Sequence, residues 1–228
     1  MKAPAFWQTD SIPATLLTPV SWAYAAGAAL HRAVRTAQKS PVPVLCVGNL
    51  VVGGAGKTPV ALSVANRLIA QGKTVHFLAR GYGGREIGPL LVDPEQHDPA
   101  AVGDEPLLLA RAAPCWIARD RAAGVRAAAA AGAEIVVMDD GFQNPGIHKD
   151  VSLVVIDGVT GFGNGRLLPA GPLRESVRSG LSRADAVVLL GGDSAGVTAM
   201  IPREMPVLRA TLTPVPPPDL LNGDMVYA

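Results

Sequence analysis

Residues 42–58 read VPVLCVGNLVVGGAGKT. A β-branched apolar run leads into a glycine-rich turn and ends on Lys57-Thr58, with Pro59 opening a helical stretch. A buried strand, a flexible turn and Lys-Thr at a helix start form the context of a phosphate loop. Successive backbone N–H groups of residues 53–57 can face phosphate oxygens there, because no side chain blocks the approach. Lys57 would neutralise the β- and γ-phosphates, and the Thr58 hydroxyl would ligate Mg²⁺. The strict pattern puts glycine where Val51 stands, and Gly48, three residues earlier, can take the turn instead. The candidate ATP-binding segment is Val51, Val52, Gly53, Gly54, Ala55, Gly56, Lys57 and Thr58.

Working outward, apolar runs at 42–47, 74–78, 134–138, 153–156 and 186–190 alternate with helix-like stretches at 59–71, 105–113 and 120–131. Strands that are apolar throughout and separated by helices indicate a parallel sheet covered on both faces. The expected fold is α/β: a P-loop NTPase-like, mainly parallel sheet with helices on both faces, preceded by an N-terminal amphipathic helix. At 228 residues the chain can bury about 70% of its unfolded surface, so it needs no disulfide to hold a core. Cys46 and Cys115 read as buried free thiols. A net charge of +1 supplies no bulk field for nucleic acid or an anionic membrane, and no nucleic-acid partner is expected.

Residues 11–30 carry no charge, a length that could cross a bilayer if wholly helical. Pro13 and Pro19 would interrupt that helix. Phe6, Trp7, Trp22 and Tyr24 precede a basic flank of His31, Arg32, Arg35 and Lys39, the pattern of an interfacial helix. The same segment could instead pack on the domain's own core. The expected organisation is an N-terminal interfacial segment at 1–40, a P-loop domain at 41–212 and a Pro-rich connector at 213–228.

The partner motif is EIVVMDDGFQ at 134–143. A buried strand ending in acid is where such folds hold a metal-directed carboxylate beside the phosphate loop. Neighbouring residues alternate across a strand, so only one of Asp139 and Asp140 faces the metal directly. No N-K-x-D guanine reader follows, which favours ATP over GTP. Arg80 and Asp104 fall at a strand end and a helix start, on the rim where ligands bind.

GNLVVGGAGKTP, ARGYGG, VGDEP, ARDR, VVMDDGFQ, GNGRLLPAGPLRE and SRADAVV follow one another in order. Together they resemble the tetraacyldisaccharide 4′-kinase family, lipid A 4′-kinases, over about residues 10–210. The resemblance implies transfer of the ATP γ-phosphate, with Mg²⁺, to the 4′-hydroxyl of a tetraacylated disaccharide 1-phosphate. It also implies work at the cytoplasmic face of the bacterial inner membrane, reached through the N-terminal segment. Carried over by motif, Lys57 and Thr58 serve ATP and Mg²⁺, and Asp104 is the general base with Glu105 near the metal. Asp139 and Asp140 position Mg²⁺ or its waters, with Gln143 in the same cluster. Arg80, Tyr82, Arg119, Arg121 and Arg174 are implied to hold the headgroup and phosphate of the disaccharide. Two departures accompany this. Asn144 stands where many members have His, and members continue into a second lobe bearing a His that pairs with the catalytic Asp. The alternatives are a P-loop enzyme with a soluble acceptor and a nucleotide-binding chain without turnover.

Overall fold

The computed structural model describes residues 3–213. The connector expected at 213–228 lies outside the described residues, apart from Thr213. Eight strands form one sheet: β1 (Val44–Gly48), β2 (Val75–Ala79), β3 (Leu90–Leu91), β4 (Cys115–Ile117), β5 (Ile135–Asp139), β6 (Val151–Asp157), β7 (Ala186–Leu190) and β8 (Val207–Ala210). Their spatial order is β3-β4-β2-β5-β1-β6-β7-β8, parallel throughout except for the β3–β4 pair. The helices are α1 (Ile12–Ala33), α2 (Lys57–Ala70), α3 (Pro99–Val102), α4 (Asp104–Ala110), α5 (Arg121–Ala130) and α6 (Val177–Leu181). This is the mainly parallel P-loop-like α/β fold that the sequence pattern predicts.

Alternation along the strands divides the core between the two faces. Val47, Phe77, Val137, Val155 and Val188 pack with Val60, Ala61 and Ala65 of α2 and Leu109 of α4. Cys46, Leu78, Met138, Val154 and Val187 pack with Ala122, Val125 and Ala128 of α5 and with Phe142, Ile147 and Leu181. The second face has no helix between β5 and β6, and residues 140–150 cover it instead, anchored by buried Phe142 and Ile147. Both cysteines are buried and free. Burial pushes the Cys46 thiol up to about 12, despite the opposing field of Lys149, which makes it an unreactive core group.

α1 departs from the expectation that its prolines interrupt it. It runs through Pro19 without a break. Pro13 lies in the first turn, where the missing N–H has no partner to lose. Pro19 and Thr15, whose carbonyl would have accepted the missing bond, are both solvent-exposed, so water can satisfy the freed group. Only Ala14 and Ser21 of this helix are buried.

Candidate active site

The phosphate loop is attached at its base. After β1, Val51 bridges antiparallel to Leu173. The Val52 N–H donates to the Pro172 carbonyl at 2.8 Å, and the Arg174 N–H donates to the Leu50 carbonyl at 2.8 Å. The Val52 N–H is therefore unavailable to a phosphate, and of the expected binding segment the free cradle starts at Gly53. Gly53 and Gly54 are exposed, and an added Cβ would meet nothing within 4 Å, leaving their backbone open to a ligand. Gly56 has φ 74° and caps α2, and a Cβ there would strike Leu190 at 2.4 Å. Only glycine meets both demands, a left-handed backbone and close packing. Ala55 is buried beneath the loop.

The helix start carries the chemistry. Lys57 is 8% exposed, and its Nζ donates to the Gly53 carbonyl at 3.4 Å and lies 3.8 Å from Asp140 Oδ1. The Thr58 hydroxyl donates to Asp139 Oδ2 at 2.7 Å. Asp139 is 2% exposed, and its Oδ1 is buried with no partner. Burial pushes this carboxyl up to about 6; the Thr58 bond opposes the shift, and the neighbouring Glu105 and Asp140 charges add to it. An orphaned carboxylate oxygen beside a threonine hydroxyl at a phosphate loop fits a hard divalent cation such as Mg²⁺. Among the described residues no three His, Cys, Asp or Glu side chains gather into a metal cage. Mg²⁺ bound by few protein groups plus nucleotide phosphates needs no such cage.

Asp140 turns away from the strand with φ 51°. It is paired with Arg174 at 3.1 Å. Gln143 donates to the Asn49 carbonyl at 2.7 Å and accepts from Arg174 at 3.3 Å. In this structure Arg174 therefore braces Asp140 and Gln143. Arg121, by contrast, lies inside. It is 4% exposed and donates to the Ala79 carbonyl at 3.1 Å and to the Ala118 carbonyl. Burial first, then repulsion from Arg80, pulls its guanidinium down to about 10. Its position at the first residue of a helix suggests a rim, but its aliphatic stem and two carbonyl acceptors draw it inside. It buttresses the strand ends under Arg80.

The acceptor-side motifs converge. Gly103 has φ 88°, and a Cβ there would lie 2.4 Å from the Tyr82 carbonyl; one at Gly84 would lie 2.5 Å from that of Ala101. Arg85 and Glu86 donate their N–H groups to Ala100 and Ala101, and Arg119 donates its own to Ile87. ARGYGG, VGDEP and ARDR thus share one rim. Arg80, Tyr82, Asp104, Glu105 and Arg119 are exposed there, and both acids lie in the first turn of α4. Sequence reasoning passed over Asn49 and Glu175. Asn49 is fully buried, its side-chain N–H₂ 3.4 Å from the Gly53 carbonyl and its Oδ1 without a partner. Glu175, 4% exposed, accepts from Arg183, Ser179 and Gln143. A lone polar residue at the end of an apolar run was the available signal for Asn49; Glu175 stands between Arg174 and Ser176 and offered none.

α1 lies against the segment that holds the loop. Arg166 bonds Asp10 at 2.9 Å and Thr18 at 2.7 Å, Ser21 donates to the Leu167 carbonyl at 2.8 Å, and Trp7 donates to the Pro169 carbonyl at 3.0 Å. Its other side shows Ile12, Leu16, Val20, Trp22 and Leu30 to solvent, each more than half exposed. No helix among the described residues is long and apolar enough to cross a membrane.

The family model for tetraacyldisaccharide-1-P 4′-kinase matches residues 13–225. The chain belongs to this family. The tetraacyldisaccharide 4′-kinase of Gluconacetobacter diazotrophicus is 59% identical over 214 residues, covering 93% of this chain and 65% of that protein. The enzyme of the same name from Rhodospirillum centenum is 58% identical over 221 residues, covering 95% and 66%. The chain thus spans just under two thirds of the length of these curated relatives. A solved structure of LpxK from Aquifex aeolicus, described as an "apo" form in complex with ATP, superposes with a TM-score of 0.72 at 31% identity. That match covers 86% of this chain and 64% of the other.

Proposed function

We propose that this chain carries the nucleotide site and phosphoryl-transfer residues of an ATP-dependent kinase acting on the 4′-hydroxyl of a tetraacyldisaccharide 1-phosphate. The observation that carries the reading is the Thr58–Asp139 hydrogen bond at 2.7 Å, with the second Asp139 oxygen buried and unpartnered beside an open glycine cradle. Family membership and the likeness to an LpxK structure described with ATP support it.

In this reading the N–H groups of residues 53–58 take the phosphates. Lys57, parked on the Gly53 carbonyl and Asp140, turns to the β- and γ-phosphates. Thr58 and Asp139 would hold Mg²⁺, which when bound offsets the charge of the phosphates. Asp104, at the N-terminal turn of α4, accepts the proton of the attacking hydroxyl, and Arg80, Tyr82 and Arg119 orient the headgroup on the shared rim. The apolar side of α1 rests in the headgroup layer of the inner membrane's cytoplasmic leaflet, which delivers the acyl chains. Residues 1–40 are read as the interfacial segment and 41–212 as the catalytic domain.

The test is turnover of ATP and Mg²⁺ with tetraacyldisaccharide 1-phosphate by the chain alone and by the chain extended along its gene. Lys57→Ala is expected to lower phosphoryl transfer at least about a thousandfold in whichever form is active. Asp104→Ala is expected to lower kcat while leaving ATP binding nearly unchanged. Unaltered turnover in Lys57→Ala would remove the assignment.

A further inference from the structure

On the face of the sheet covered by residues 140–150 lies an open cavity of about 330 Å³, lined by Arg32, Phe142, Asn144, Lys149, Ser152 and Arg183. It is separate from the phosphate loop. Ser152 pairs in register with Cys46 and Lys149 precedes β6, while Phe142 packs on Gly48 and Glu175 accepts from Gln143, so the cavity lies on the sheet face behind the Asp140–Gln143 cluster. The loop follows the C-terminal end of β1.

Three cations meet at this cavity. Arg183 lies 4.6 Å over the Phe142 ring and binds Glu175. Arg32, on the last turn of α1, is 3.9 Å from the same carboxylate. Lys149 donates to the Phe142 carbonyl at 3.3 Å and the Asn144 carbonyl at 2.5 Å. No carboxylate comes within ion-pair distance of it among the described residues. The other acids nearby are engaged elsewhere. Asp150 accepts the Val44 N–H and faces His148, and Asp185 accepts the Ser152 N–H. Among the described residues Glu175 thus serves Arg32 and Arg183 while Lys149 has no carboxylate partner, and a half-buried ammonium is unfavourable without a counter-charge. Burial holds the Lys149 ammonium below its ordinary value, and repulsion from Arg183 adds to this. Among the described residues Lys149 Nζ has two acceptors for its three N–H groups, and Ser152, 4% exposed, lines the cavity.

We propose that this cavity is a second phosphate site, in which Arg32, Lys149 and Ser152 bind a phosphate monoester or diester while Glu175 holds Arg183 in place. The site stands independently of the kinase reading. Its ligand is a phosphate group, carried either in solution or on an anionic lipid headgroup.

The experiment uses the chain with Lys57→Ala, which silences the phosphate loop. Inorganic phosphate is titrated by calorimetry, and vesicles of phosphatidylglycerol in phosphatidylcholine are titrated by sedimentation. Added Lys149→Gln or Arg32→Gln is expected to weaken one of these probes about tenfold, as loss of a charge-assisted bond does, and Lys149→Arg is expected to retain it. Loss of phosphate binding identifies a soluble ligand; loss in Lys149→Gln confined to vesicles identifies a headgroup, Lys149 lying outside the N-terminal segment. Arg67→Gln, on an exposed residue at the end of α2 outside both the cavity and the N-terminal segment, is expected to leave both probes within about twofold. Unchanged binding of both probes in folded Lys149→Gln and Arg32→Gln overturns the proposal, as does an equal loss in Arg67→Gln. Circular dichroism establishes folding, and if Lys149→Gln fails to fold, Arg32→Gln decides.

Discussion

Asp139 sits at 2% exposure with one oxygen on Thr58 and the other on nothing. Its carboxyl titrates near 6 in the fold and near 3.8 when unfolded. The native chain therefore holds a proton that the unfolded chain has released, and stability is fullest below about pH 4. It declines as pH rises toward 6, by about 3 kcal/mol in all. Asp139→Asn is expected to raise stability by about 1–3 kcal/mol at pH 7.5 and by little at pH 4, measured by urea unfolding at both. On the proposed reading the same substitution is expected to lower phosphoryl transfer at least about a hundredfold, because a neutral amide oxygen holds a divalent cation more weakly than a carboxylate. At this scale the sequence was legible wherever a motif dictates a contact, as with Thr58 and Asp139. It was not legible for Arg121, because nothing in ARDR shows that two carbonyls wait behind it. Val52 was opaque for a similar reason: its N–H is taken by Pro172, which lies 120 residues later.

Among the elements, the five long parallel strands were visible as apolar runs, and the structure shifts them by only a few residues. β3 and β4 were missed because two or three residues cannot display a period. β8 escaped as a half-exposed edge strand. The contact between β1 and the 140–150 segment allows a direct test. A Cβ on Gly48 would fall 2.4 Å from the Phe142 Cβ. Gly48→Ala is expected to cost about 1–3 kcal/mol in denaturant unfolding and to lower turnover by displacing the Asp140–Gln143 cluster. α1 behaves in the opposite way, since its exposed apolar side contributes little to the core. Leu16→Glu with Trp22→Glu and Leu30→Glu is expected to shift the melting temperature by less than about 3 °C. Binding to anionic vesicles is expected to fall at least about tenfold, measured by sedimentation. Unchanged vesicle binding would return α1 to a packing role.

Across the whole molecule, neighbouring strands β1 and β6 connect onward to opposite sides of the sheet, β1 to β2 and β6 to β7, which opens a crevice at their C-terminal ends. The residues read as the nucleotide site are gathered there from three distant parts of the sequence. The base of the loop is joined by two backbone hydrogen bonds to the segment that also seats α1. This has a consequence for isotope exchange. The Val52 and Arg174 amides form a clasp that nucleotide arrival does not need to open. Both are expected to exchange hydrogen for deuterium slowly whether or not ATP is present, whereas the Gly53, Gly54 and Gly56 amides slow only when it binds. Membrane lipid would act the other way round: by steadying α1 and residues 163–173, it would lengthen the exchange lifetime of the clasp while the glycines stay fast. Two timescales in one loop would then report separately which partner has arrived.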